Sequence, residues 1–191
     1  MEQVNRVDLT IKKEMLEELA SMKGKTLKSL EGEYFQKWNR FSEIVRFNLG
    51  QYSVQVLCDY VAVKWFWNAS ELVDDEGSAF FVSKEPLNRH NYPEGWQVVQ
   101  LLKDEKISEV IIVRDSIKNN HGDEILWDSG IVLRTNERVY TFSMGSIGNT
   151  TIFYSESDKI EMISSVREIM KYCSVPEYNL KASVKRDYIF L

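Results

Sequence analysis

The sequence predicts an α+β fold built on a mainly antiparallel, strongly curved sheet, bent enough to become barrel-like, with one N-terminal helix and one helix in the C-terminal region. Three observations carry this expectation. Apolar residues recur at helical spacing near the start of the chain and again after residue 158. Between these stretches, short runs of aromatic and β-branched residues alternate at period two. The connections between those runs are too short for crossover helices, so successive strands must run antiparallel.

Residues 9–23 place Ile11, Met15, Leu16, Leu19 and Met22 on one face, with Asp8 or Thr10 as N-cap and Gly24 after the last turn. The opposite face, with Lys12, Lys13, Glu14, Glu17, Glu18 and Lys23, reads as solvated. From about residue 29 to 82 the texture is that of sheet. Residues 42–49 and 52–60 flank Gly50-Gln51, a spacing suited to a two-residue hairpin turn. Tyr52, Val54, Val56 and Cys58 share a face, and Val61, Val63, Trp65 and Trp67 continue with a changed phase after Asp59-Tyr60, which predicts a bulge or bend inside one long strand.

Residues 71–77 read as an acidic turn, 80–82 as a short strand, and 84–95 as a polar, mobile loop holding two of the 3 prolines. Six further strands are expected at 96–102, 108–114, 125–126, 130–135, 139–144 and 151–154, with a hairpin link around Asn136. A second helix is expected over 158–172, where Ile160, Ile163, Val166, Ile169, Met170 and Cys173 repeat near 3.6, Ser155 or Ser157 can cap, and Pro176 stops the run. The terminal Tyr188-Ile189-Phe190-Leu191 predicts a closing strand or a tail docked on the sheet or on a second subunit.

With 191 residues, 43% of them hydrophobic, and only 9 Gly and 3 Pro, the chain is expected to form a single globular domain over 1–191. Its formal charge of −5 argues against nucleic acid as a partner, because Lys12 and Lys13, Lys23, Lys25 and Lys28, and Lys185 and Arg186 form short groups interleaved with acids. No export-type N-terminus is present, and the apolar stretch 52–67 is interrupted by Asp59 and Lys64 and is too short for a membrane helix. A cytoplasmic location without membrane contact follows as the expectation. Cys58 and Cys173 then read as reduced thiols in the core, and the Asn68-Ala69-Ser70 and Asn149-Thr150-Thr151 triplets as chance matches to the glycosylation pattern.

Imidazole chemistry would have to use His90 or His121. Asn119-Asn120-His121-Gly122-Asp123-Glu124 reads as a turn. Its metal-binding version would need His121 and Asp123 to converge with Asp115 or Asp128, which no ligand spacing enforces. The phrase Gly145-Ser146-Ile147-Gly148 lacks the spacing of a nucleophile elbow and no helix follows it as a phosphate cradle requires. Asp74-Asp75-Glu76-Gly77 lacks the alternation of an EF-hand loop. No cofactor, no metal and no catalytic residue is therefore expected.

Lys64-Trp65-Phe66-Trp67 stands out, because it sets two indoles on one strand face and a phenyl on the other. It reads either as a strand buried on both sides or as an aromatic binding patch, with Trp96 and Trp127 as candidate companions at the same rim. These four tryptophans are the expected ligand- or partner-binding residues. The acidic balance, the aromatic surplus and the lack of a catalytic constellation point to a non-enzymatic binding protein engaging another protein, immunity- or adaptor-like, with homodimerisation as one form. The alternative is a barrel that binds a small apolar or aromatic molecule in an aromatic-lined cavity, or a carboxylate-dependent hydrolase using such a cavity.

Overall fold

The computed structural model describes residues 5–68, 71–86, 94–174, 176 and 179–191, with the backbone alone at 65–68, 71–75 and 102. In chain order the elements are β1 (Arg6–Leu9), α1 (Lys13–Ala20), β2 (Thr26–Gly32), β3 (Tyr34–Phe35), a 3-10 turn (Gln36–Trp38), β4 (Arg40–Phe41), β5 (Ile44–Asn48), β6 (Tyr52–Asn68), β7 (Glu71–Pro86), β8 (Gln97–Asn119), β9 (Glu124–Thr135), β10 (Val139–Met144), β11 (Ile152–Ser157), α2 (Val166–Tyr172) and β12 (Ala182–Phe190). Strand accounts for 61% of the chain, nearly all of it antiparallel, so the α+β expectation is met.

The sheet runs β3-β4-β11-β10-β9-β8-β2-β5-β6-β7, with β12 added beside β8 and β1 beside β9. β1 pairs parallel to β9, from Arg6 opposite Glu124 to Leu9 opposite Trp127. β8 is the hinge of the architecture. Its first half pairs with β2 and its second half with β9, and both ladders shift register near its middle, by three residues at Leu27/Ser29 and by one at Ile107/Glu109. Bulges of this kind bend and twist a strand. The sheet therefore curls, remaining open, until Phe47 of β5 packs edge-on against Phe142 of β10 with ring centroids 4.9 Å apart. The gap is spanned at residues 42–43, where Ile152 N–H donates to the Ser42 carbonyl (3.1 Å) and Cys58 N–H to that of Glu43 (2.8 Å).

The main core fills this curl with Leu27, Leu30, Val45, Val54, Val56, Ile112, Leu133 and their neighbours. A smaller apolar layer, Ile111, Val113, Val132 and Val139, lies on the outer face beneath Ile160 and Met162. One bulge lies beside it, where Ser129 is an extra residue opposite Val113/Arg114 in β9. In β12, whose ladder with β8 is unbroken, the successive residues Asp187 and Tyr188 are both exposed.

Several elements differ from their predicted bounds for identifiable reasons. The N-terminal helix begins four residues later than expected because Val7 and Leu9 alternate inward on β1, and the Asp8 carboxylate accepts from Thr10 N–H and Oγ1–H instead of capping a helix. The acidic segment 71–77 is strand, not turn, and continues the β6 ladder. The two strands expected at 96–102 and 108–114 are one, because Glu105 between them is buried and its carboxylate accepts from Thr135 Oγ1–H at 2.6 Å. The second helix is shorter than 158–172. Ile160 and Met162 alternate to cover the outer apolar layer, and the helix starts only at Ser165, whose side chain and that of Glu168 form a reciprocal capping box. Gly50-Gln51 does form the two-residue hairpin, with Gly50 at φ +83°. Of the polar loop expected at 84–95, residues 87–93 lie outside the described residues, and with them His90.

Candidate binding sites

The β6–β7 hairpin is the longest paired unit, with strands of 17 and 16 residues. Near its middle it lies against β1. Gly77 lets Leu9 approach so closely that a Cβ there would stand 2.8 Å from Leu9 Cδ1, with Val63 alongside. Past that contact the backbone ladder continues through Lys64 opposite Asp74 and Trp65 opposite Val73 to Asn68 opposite Glu71. Trp65 and Trp67 are thus on the outlying half of β6, and their side chains lie outside the described residues.

Trp96 precedes β8 and is half-buried, with the Arg46 guanidinium over its ring at 4.8 Å; Arg46 also donates to Gln55 Oε1 at 3.0 Å. Trp127 has different surroundings. It is wholly buried on β9 between the β1 and β8 ladders. The expected common rim of Trp96 and Trp127 is therefore not formed. A residue that reads in sequence as a companion at that rim is enclosed because β9 is paired on one side with β1 and on the other with β8.

Trp127 instead forms part of the wall of a cavity of about 220 Å³ beneath α2. Gly145, Ser146 and Ile147 contribute from the turn after β10, Ser164 from the segment before α2, and Glu168, Ile169, Tyr172 and Cys173 from the helix and its end. Ile147, Ile169 and Cys173 are buried, whereas Tyr172 is 70% exposed and stands at the mouth. Burial first, and the Asp115 carboxylate second, push the Cys173 thiol up to about 12. Ser164 Oγ–H donates to the Gly145 carbonyl at 2.7 Å, which ties the two sides together. Trp127 Nε1 is buried and has no hydrogen-bond partner among the described residues.

Next to this cavity a charged pair ties β12 to the segment before α2. Arg186 of β12 donates through Nε and Nη2 to the two oxygens of Asp115, both at 2.8 Å, and through Nη1 to the Ser164 carbonyl at 3.1 Å. A second bidentate pair joins Arg114 to Asp128 at 2.6 and 2.9 Å, and Asp128 also accepts from Ile11 N–H at 2.7 Å. The other buried carboxylates among the described residues are similarly occupied: Glu31 accepts from Ser29 and Asn48, and Glu105 from Thr135.

His121 lies in a turn organised by Asn119, whose side-chain oxygen accepts from His121 N–H and Asp123 N–H at 2.9 and 3.0 Å. The Asp123 carboxylate is taken by Asn5 and Asn119. Among the described residues no three His, Cys, Asp or Glu side chains come together as a metal site would need. No described helix is long and apolar enough to cross a membrane.

The sequence reading named Trp127 but missed the cavity around it. The Ser165-x-x-Glu168 capping box was legible and would have moved the helix start to the point where Glu168, Ile169 and Tyr172 share the cavity face. Compared with known proteins, the chain matches no family model, no curated protein and no solved structure.

Proposed function

We propose that this chain is a non-enzymatic binding protein that engages another protein through the outlying half of the β6–β7 hairpin. The observation that carries the reading is the continuation of the ladder from Val63 to Asn68, past the contact with Leu9. At about 3.3 Å per residue this adds roughly 15 Å of paired strand. That stretch holds Trp65, Phe66 and Trp67, aromatic residue types enriched at the centres of protein interfaces, with the apolar Leu72 and Val73 opposite them in the hairpin. Over 59–76 the acids Asp59, Glu71, Asp74, Asp75 and Glu76 face a single Lys64 in the composition, which fits a partner with a basic surface around an apolar centre. The engagement of Glu31, Glu105, Asp115 and Asp128 by structural partners supports a role other than carboxylate catalysis. An immunity- or adaptor-like protein is the concrete form of this reading.

Affinity capture from native extract at low salt tests it, with a Trp65→Ala, Trp67→Ala double variant run in parallel. The expected result is one stoichiometric basic protein, released as salt rises and lost by the double variant, while the variant keeps the melting temperature of the parent. Recovery of no stoichiometric partner, or one held equally by the variant, overturns the reading. So does a double variant that loses its fold, because those indoles are then core.

A further inference from the structure

We infer that the end of the sheet at β3 and β4 is a docking site for an extended acidic segment of another protein, whose carboxylates at alternate positions meet Lys37 and Arg40. β3 and β7 stand at opposite ends of the strand order, so this surface is separate from the hairpin and does not depend on that reading.

Two cations without counter-charges carry the argument. Arg6, Arg114, Arg134, Arg138 and Arg186 each hold a carboxylate of the chain. Arg40 holds none among the described residues. Its guanidinium lies over the rings of Phe35 at 5.4 Å and Trp38 at 4.9 Å, and Lys37 Nζ lies over the same indole at 5.3 Å. Stacking on a ring positions a cation without neutralising it. Arg40 Nε is buried and has no partner, so an anion must reach this guanidinium end-on, through its two Nη groups. Glu33, the nearest acid along β3, lies beside Gly95, with Oε1 3.6 Å from where a Cβ would stand there, and pairs with neither cation.

The frame that presents these groups is fixed. Asn39, at φ +49°, ends the 3-10 turn; its Oδ1 accepts from the Tyr34 hydroxyl at 2.5 Å and its Nδ2 donates to the Tyr154 carbonyl at 2.7 Å. Trp38 is nonetheless 54% exposed, and tryptophan and arginine are the residue types enriched at interface centres.

Backbone geometry selects an extended segment. β3 has β4 on one side and no described strand on the other. Ser42 N–H donates to the Glu33 carbonyl at 2.9 Å, so by strand alternation the Tyr34 N–H and C=O point away from β4, off the end of the sheet. A strand added there puts the neighbours of its Tyr34-paired residue on the face that carries Phe35 and Arg40. Those two neighbours lie about 7 Å apart along the strand. Two cations that each lie within 5.3 Å of one ring centre suit that span. Single-stranded nucleic acid fits less well, because the indole that would stack a base already carries both cations, and two charges make no stripe for phosphates.

The test titrates the full chain at low salt with a blocked Val-Glu-Val-Glu-Val peptide, its Val-Gln-Val-Gln-Val counterpart and oligothymidylate. The acidic peptide is expected to bind about tenfold or more tightly than the glutamine peptide, to be released as salt rises, and to slow hydrogen exchange at the Tyr34 amide. Lys37→Glu, an exposed change that should keep the parent's melting temperature, and Arg40→Gln should each weaken the acidic peptide by about fivefold or more. Should Arg40→Gln fail to fold, Lys37→Glu and Trp38→Ala decide. Equal affinity for the two peptides, undiminished binding by Lys37→Glu, an unprotected Tyr34 amide in the complex, or tighter binding of oligothymidylate through the same residues would overturn the inference.

Discussion

Cys58 and Cys173 show how position dictates the chemistry of a side chain. Cys58 is held far above the ordinary thiol range by burial, with Glu43 and Asp59 adding to it, and Cys173 is raised to about 12 by burial and then Asp115. Neither is a nucleophile at neutral pH, as their apolar sequence positions suggested. A raised acid pKa leaves stability intact below the unfolded value near 9, and takes it away between there and the folded value as the unfolded chain alone gives up its proton. Between about pH 9 and 12 the parent should therefore lose stability relative to Cys173→Ser by about 1.4 kcal/mol per pH unit. Urea melts of the two proteins across that range check this, and parallel slopes would refute it. The Arg186–Asp115 pair obeys a different rule. Asp115 is wholly buried, so Arg186→Met strands a charge and should cost about 3–5 kcal/mol, whereas Arg186→Met with Asp115→Leu should recover most of it. If the double variant is no better than the single one, the arginine acts by packing alone. The Arg186–Asp115 pair was not legible in sequence, because Asp115 lies 71 positions from Arg186 and nothing local marks them as neighbours.

At the scale of elements, legibility followed locality. The Gly50-Gln51 hairpin, the long β6 and the closing strand β12 are each dictated by adjacent residues, and each was predicted. Misreadings fell where a distant partner overrides the local signal, as when Thr135 holds Glu105 inside β8, or the outer layer of Ile111, Val113 and Val132 pulls Ile160 and Met162 out of a helix. β12 shows both effects. A closing strand or docked tail was expected, with no partner strand named, and its burial was only half right. Ile189 and Leu191 pack on the core, whereas Tyr188 and Phe190 are 45% and 63% exposed. Deleting residues 187–191 should therefore cost about 2–4 kcal/mol through Ile189, Leu191 and the lost ladder. Changing Tyr188 and Phe190 together to serine should cost less than about 1 kcal/mol. Denaturant midpoints of the two variants separate the cases, and an equal loss in both would mean that the aromatic pair is covered by a second subunit.

For the whole molecule, the placement of the cavity and the course of folding have the same origin. Its wall draws on residue 127, residues 145–147 and residues 164–173, brought together only when the chain has closed its long loops, so no window of sequence displays it. The fold depends on such closures throughout. Asn5 N–H meets Asp123 Oδ1 across 118 positions, β1 then pairs parallel to β9, β4 pairs with β11, and β12 returns to β8. Loop-closure entropy must be spent before any of these pairings is rewarded, and the two short helices offer little local structure as a start. The exception is the β5–β6–β7 meander, whose turn at Gly50-Gln51 and adjacent pairings can form early. Refolding should accordingly occupy milliseconds to seconds at 25 °C, the range of sheet-rich domains of high contact order, instead of the microseconds typical of helical bundles. Within that process Val54→Ala and Val56→Ala in the meander should slow folding, whereas Val7→Ala in β1 should mainly speed unfolding, since the N-terminal strand can dock only after β9 exists. Stopped-flow fluorescence with chevron plots for the three variants measures both arms. A Val7→Ala substitution that slows folding as strongly as Val54→Ala would show that β1 and β9 pair in the transition state, and the order of assembly argued from the topology would be reversed.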